Sequence, residues 1–296
     1  MPVGFLTRST SFARFAPMEK VESTRDALSA SYAVAPSPVR EGMADVYGGL
    51  KKWRVWLLLG RLDVLLRYRR SRLGPFWITI SMAVMIYGMG FVYGRIVKIP
   101  PSEYIPYISG GMLAWSLLSV TLTELINGFT DARSFILQVN MPYSIHVLRI
   151  VVRNLIVFAH HIVAIIPMLI LFRCIPNVPL LVFALLVTGC AMFCFGILFA
   201  MSGARFRDLH PIVTSLLQLG FLLTPIVWKA DMIPGRVALT VYINPFYYFT
   251  DMLRSALAGF PCPAIAVKGS LLITCGGAAL MVWLFSRFKR RIPLWV

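Results

Sequence analysis

Leu180–Ala204 reads LLVFALLVTGCAMFCFGILFAMSGA, 25 residues without one Asp, Glu, Lys or Arg. A helix needs about 20 residues to cross the hydrocarbon core of a bilayer. Hydrocarbon offers the backbone no hydrogen bonds, so such a run is helical rather than extended. Five more charge-free runs accompany it: Phe76–Gly94 (19 residues), Tyr104–Thr123 (20), Leu155–Phe172 (18), Leu209–Trp228 (20) and Gly269–Ser286 (18). Together they predict an all-α integral membrane protein with six transmembrane helices, at about 76–94, 104–126, 150–172, 180–202, 209–228 and 269–286. A seventh run, Val237–Thr250, has 14 residues and contains Pro245. It is too short to span and reads as a re-entrant or interfacial piece between spans five and six.

Composition agrees. Of 296 residues, 58% are hydrophobic and 14% charged, with a mean hydropathy of +0.75. A soluble domain carries roughly 25% charged residues, so this chain lacks the charge to cover a soluble surface. It is also too apolar for disorder. Yet 29 Lys and Arg face only 12 Asp and Glu, a net +17. With the N-terminus in the cytoplasm, 22 of the 29 cations fall on the cytoplasmic side. Arg95, Lys98, Arg173, Lys229, Arg236, Arg254 and Lys268 fall on the other. That asymmetry obeys the positive-inside rule, and six spans return residues 287–296 to the cytoplasm. The charge thus reports orientation and lipid contact. No nucleic-acid-binding motif accompanies it.

Residues 1–50 hold Ser, Ala, Pro and scattered charge without an apolar run, and are expected to form a mobile cytoplasmic tail without a signal peptide. Residues 51–75 differ. Lys51–Arg72 reads KKWRVWLLLGRLDVLLRYRRSR, with Val55, Leu58, Leu59, Leu62, Leu65 and Leu66 at helical spacing. Flanked by Trp53 and Trp56, it predicts an amphipathic helix in the headgroup plane. Arg67, Arg69, Arg70 and Arg72 would each add about 1 kcal/mol of attraction to anionic lipid. Gly74-Pro75 ends it before the first span.

Leu66-Arg67-Tyr68-Arg69-Arg70-Ser71 followed by Leu73-Gly74-Pro75-Phe76-Trp77 resembles the opening motif of ABC-2 type permeases, the membrane subunits of polysaccharide exporters. Tyr107–Trp115 (YISGGMLAW) resembles that family's second span. Leu223–Trp228 (LTPIVW) resembles the end of its fifth, and Tyr242–Phe246 (YINPF) the segment after it. The resemblance covers residues 51–291. It implies a permease subunit for a lipid-linked polysaccharide such as O-antigen or capsule, in a bacterial inner membrane with both termini cytoplasmic. It implies a homodimer joined by two copies of a separate ATPase, with ATP and Mg on that partner and no cofactor in this chain. No GxxxxGK[ST] phosphate loop occurs in the sequence, in agreement. An exporter of a lipid or drug, or a membrane-embedded transferase, are the alternatives. A transferase would need clustered His, Asp or Glu at a membrane face, which the six runs do not offer.

The resemblance makes the loop Asn127–Ser144 a coupling helix docking on the ATPase through Asp131, Arg133 and Phe135. A second candidate contact is Arg205, Arg207 and Asp208. A sugar polymer slides best along aromatic planes, which picks out Tyr87, Tyr104, Tyr107, Trp115, Phe246, Tyr247, Tyr248 and Phe249 as channel candidates. Trp and Tyr also collect at membrane interfaces for other reasons. The segment 229–268 is implied to form re-entrant helices at an outer gate. Glu124 either pairs with Arg149 and Arg153 or these groups snorkel to headgroups. Of His160 and His161, about 100° apart on a helix, at most one faces a pore. Cys190 and Cys194 share a helical face without other ligands, which favours packing over metal, and Cys174 and Cys262 could meet on the outer side. No catalytic triad or metal-ligand spacing is present.

Overall fold

In the computed structural model of the protein, which describes residues 37–69, 76–232 and 239–296, the regular structure is helical throughout. The order is α1 (Pro38–Lys51), α2 (Trp53–Tyr68), α3 (Phe76–Val97), α4 (Pro101–Ile126), α5 (Arg133–Gln138) and α6 (Ser144–Leu171). Then come α7 (Val178–Arg205), α8 (Leu209–Leu223), α9 (Leu239–Ile243), α10 (Pro245–Ala258), α11 (Ala264–Phe288) and α12 (Ile292–Trp295). Among the described residues, five helices are long and apolar enough to cross a membrane: α3, α4, α6, α7 and the α11–α12 stretch.

α4 is the centre. Its apolar window is 72% buried, against 11% for α3. α3, α6, α7, α8 and α10 all pack on it. Small residues let them approach. A Cβ on Gly110 would stand 2.9 Å from the Cα of Arg254, so α10 lies backbone to backbone on α4. Most spans begin earlier than the charge-free runs, because Pro supplies the first turn of α4 and α7 and Asn177 caps α7 by accepting from the Leu180 N–H at 3.0 Å.

The fifth expected span departs from prediction. α8 has 15 residues, a rise of about 22 Å, which is short of the roughly 30 Å core. It ends because Pro225 has no N–H and disfavours helix at Thr224. The chain continues without helix through Trp228. Lys229 then forms an ion pair with Glu103 in the first turn of α4. Segment 209–229 therefore runs from the end of the bundle where α7 finishes to the end where α4 begins.

The N-terminal boundary moves as well. Pro38–Lys51, expected as tail, is a helix docked between α6 and α11. Asp45, 7% exposed, accepts hydrogen bonds from the N–H groups of Tyr143 (3.1 Å) and Ser144 (3.1 Å) and from the Ser144 hydroxyl (2.9 Å). It thereby caps α6, a helix almost a hundred residues away in sequence. Lys289 lies 3.3 Å from the same carboxylate. Arg290 holds Glu41 with both arms of its guanidinium. Residues 1–36 of the expected tail lie outside the described residues. The interface helix starts at Trp53, after a break at Lys52, and reaches Tyr68. Residues 70–75, with Arg70 and Arg72, lie outside the described residues. Trp53, Leu58, Leu65 and Leu66 of α2 are exposed, as a lipid-facing stripe requires, while Gly60 and Val64 face α6.

Candidate substrate path and coupling site

The path begins at an ion cluster. Arg149 of α6 grips Asp63 of α2 with both arms, at 2.5 and 2.5 Å. Arg153, one turn on, donates to Asp63 at 3.2 Å and to Glu124 of α4 at 2.7 Å. Asn154 (2.6 Å) and Arg67 (2.7 Å) complete the Glu124 carboxylate. Three cations and two carboxylates, each with a charged hydrogen-bond partner, fasten α2, α4 and α6 at one end of the bundle. Pairing wins over snorkelling here because the charges sit between helices instead of at their lipid face. Asp63, to which sequence alone assigns no role, is the group that ties in α2.

Above Glu124 a groove opens between α3, α4 and α8. It comprises two adjoining hollows of about 680 and 430 Å³. Met85, Met112 and Leu217 give apolar wall, while Ser119, Thr123, Thr214 and Gln218 give short polar groups. His161 also lines it, whereas His160 turns back to the Ile156 carbonyl at 2.8 Å. The groove ends at three aromatic rings. Trp115 meets Phe221 edge-on at 5.8 Å and Phe246 of α10 at 5.3 Å. Beyond α10 lies a separate cavity of about 610 Å³, lined by charged and phenolic groups including Glu103, Asp231, Asp251 and Tyr247.

Between these spaces runs Thr224–Trp228, whose carbonyls lack helical partners. Side chains supply them. The Tyr104 hydroxyl donates to Val227 at 2.6 Å, and Tyr107 donates to Pro225 (3.1 Å) and Trp228 (3.0 Å). Arg254 donates to Pro225 as well, stacks on Tyr107 at 3.9 Å and pairs with Asp251 at 3.0 Å. Asn244 reaches the Thr224 hydroxyl at 2.8 Å and caps α10 at the Phe246 N–H. Irregular backbone survives at membrane depth only when protein satisfies it. The TPIVW and YISGGMLAW stretches are thus two halves of one hydrogen-bonded unit, with the Gly110-Gly111 notch admitting Arg254.

The predicted aromatics therefore divide. Trp115 and Phe246 stand where the groove closes. Tyr104 is fully buried against the TPIVW backbone, and Tyr107 is held by it while also bordering the cavity beyond α10. Tyr247 lines that cavity, Phe249 is buried, and Tyr248 bonds the Tyr242 carbonyl at 2.5 Å. Tyr87 of α3 bonds the Ala164 carbonyl at 3.1 Å. Sequence reasoning names Arg254 only among the cations of one side and Asn244 only within YINPF, and gives neither a role in the site. The available signal was a lone arginine three residues after Asp251 in a charge-poor stretch.

α5 projects from the end that carries the ion cluster. Phe129, fully buried, packs on Tyr143 at 6.0 Å and anchors the loop between α4 and α6. Asp131, Arg133, Phe135 and Leu137 remain exposed. Arg205, Arg207 and Asp208 are exposed nearby in sequence to α8. Among the described residues no group of three His, Cys, Asp or Glu could hold a metal ion. Cys174 and Cys262 are free thiols.

Residues 54–258, from the interface helix to the end of α10, match the ABC-2 type transporter family. The chain belongs to that family. It is a multi-pass membrane subunit of an ABC-2 type transporter. Among its relatives is the O-antigen export system permease protein RfbA of Klebsiella pneumoniae, 23% identical over 240 residues, covering 77% of this chain and 90% of that protein. Another is the O-antigen export system permease protein RfbA of Myxococcus xanthus, 24% identical over 185 residues, covering 60% and 70%. Membership assigns the ion cluster, groove and α5 to an ABC-2 membrane domain, which works with an ABC ATPase.

Proposed function

We propose that this ABC-2 chain is the permease subunit of an O-antigen-type polysaccharide exporter in a bacterial inner membrane. Two copies pair with two ATPase subunits that carry ATP and Mg. Both termini are cytoplasmic, and segment 209–229 makes the fifth of six crossings, part helix and part capped coil. The substrate is a lipid-linked glycan that travels along the groove on α4. The observation that carries this reading is the groove itself: short hydroxyl and amide groups beside apolar wall, ending at the Trp115–Phe221–Phe246 rings. Such a surface exchanges water for sugar hydroxyls without deep hydrogen-bond traps and offers ring faces to sugar planes. The RfbA relatives support the substrate class.

α9 and α10 form the outer gate as a re-entrant pair, since Phe246 reaches the groove from α10. α5 transmits the ATPase stroke, because buried Phe129 joins it rigidly to α4 and α6. Trp115→Leu, which keeps most of the buried apolar volume but removes the ring plane, is expected to slow polymer export severalfold per membrane-inserted copy, with ATPase co-purification per copy unchanged. Measuring surface polymer against cytoplasmic polymer in whole cells tests this, and normal export would defeat the groove as the path.

A further inference from the structure

Where α7 and α11 finish, the C-terminal residues fold back to enclose a hollow of about 320 Å³. Arg205 and Arg291 both line it. Neither makes an ion pair among the described residues. Each leans instead on aromatic faces. Arg205 lies 5.2 Å from the Phe206 centroid and 5.3 Å from that of Trp295, and Arg291 lies 5.6 Å from that of Phe288. Phe288 and Trp295 in turn meet at 6.1 Å. Ser202 borders the same space. Two arginines thus line one small hollow with no Asp or Glu among the residues that line it.

We propose that this hollow binds the phosphate headgroup of an anionic phospholipid. Guanidinium is the fork that matches phosphate oxygens two at a time, and stacking on rings fixes its plane in advance. The remaining wall is apolar, with Met201, Leu284 and Phe288. Leu280, one turn from Leu284 on α11, is 41% exposed and continues that wall along the span. A free phosphate would leave this surface wet; a lipid covers it with glycerol and acyl chain. Phosphate and acyl chain are thus matched in one place at a bundle end. The end is the one bearing α5, so under the orientation proposed above the lipid belongs to the cytoplasmic leaflet, where anionic headgroups concentrate. Arg205, expected from sequence to touch the ATPase, has this lipid role instead.

The test is binding to the purified full chain in detergent, read by native mass spectrometry, and it needs no transport. The probes are phosphatidylglycerol, phosphatidylcholine with the same acyl chains, and inorganic phosphate. Phosphatidylglycerol is expected to bind in preference to phosphatidylcholine, and millimolar phosphate should not displace it. The double variant Arg205→Gln/Arg291→Gln should bind phosphatidylglycerol about tenfold or more weakly, while Arg173→Gln at the opposite end leaves it unchanged. Should the double variant fold poorly, Arg205→Lys/Arg291→Lys keeps the charge but loses the fork, and is expected to weaken binding severalfold. Unchanged phosphatidylglycerol binding in either double variant overturns the site. Displacement by inorganic phosphate overturns the lipid assignment. Loss of ATPase co-purification with intact lipid binding would return the arginines to the protein contact.

Discussion

Arg254 shows how one side chain holds a membrane domain together. It is 3% exposed, yet it carries a full charge and serves three partners: the Pro225 carbonyl, the Tyr107 ring and the Asp251 carboxylate. Truncating one member of such a set leaves the others buried and unmatched, at a cost of about 3–5 kcal/mol. Arg254→Met should therefore lower the thermal unfolding temperature of the purified chain sharply. Arg254→Lys should fall between, since an ammonium neither forks nor stacks as a guanidinium does. Equal stability of all three proteins would show that the network contributes nothing. Trp115 is a related case. It is itself buried, at 9% exposed, and packs on Phe221 and Phe246, so Trp115→Ala should also cost about 3–5 kcal/mol of stability, and its export effect is read per membrane-inserted copy.

α1 makes the corresponding case at the scale of an element. Its role rests on Asp45, whose carboxylate ends α6 where Ser144 begins it. Asp45→Ala should cost about 1–2 kcal/mol, as loss of a helix cap does, seen as a lower unfolding midpoint. The Glu41–Arg290 pair adds a pH dependence of known sign. Arg290 holds the Glu41 carboxyl below its ordinary value of 4.5. A depressed carboxyl contributes above its unfolded value and loses its contribution as pH falls through the folded one. Distance measurements between labels on α1 and α11 should stay constant from pH 7 to 5.5 and, because an exposed pair contributes little and Asp45 and the Gly42–Ser286 contact also hold α1, change only slightly below about 4.5. Undocking already at pH 6 would implicate another group.

The same helix marks where sequence reading stops. The membrane helices were legible because hydrocarbon imposes one requirement on every residue, and uninterrupted runs such as Leu180–Ala204 display it. Hydropathy also flagged Leu209–Trp228 as a span, but apolar coil and apolar helix score alike. Pro225 marks the break, but the coil is sustained to Trp228 by partners distant in sequence, the hydroxyls of Tyr104 and Tyr107 more than a hundred residues away and Arg254. α1 was illegible for a related reason. Its inward face is Gly42, Asp45, Val46 and Gly49, a set chosen to fit Ser144 and Ser286 closely and not to be apolar. Of the site, the resemblance located α5 and the aromatic stretches. It could not say which aromatics serve backbone carbonyls.

At the scale of the whole molecule, charges are sorted by depth. The Asp63–Arg149–Arg153–Glu124 cluster fastens one end of the bundle and Arg254 with Lys229 the other, leaving the middle of α4 to short polar groups and rings. The capped coil Thr224–Trp228 carries a further consequence for how the protein is made. Synthesis proceeds from the N-terminus, so Tyr104 and Tyr107 are already present when this coil emerges, but Asn244 and Arg254 are not. On the proposed topology, segment 209–229 enters the bilayer with some of its donors still untranslated, and α10 arrives later to lock it. A chain stopped at residue 240 should leave a cysteine placed at Ile226, fully buried next to the Pro225 that Arg254 holds, open to a water-soluble maleimide, and the full-length chain should protect it. Equal labelling of both would mean that this crossing settles into the bilayer without help from α10.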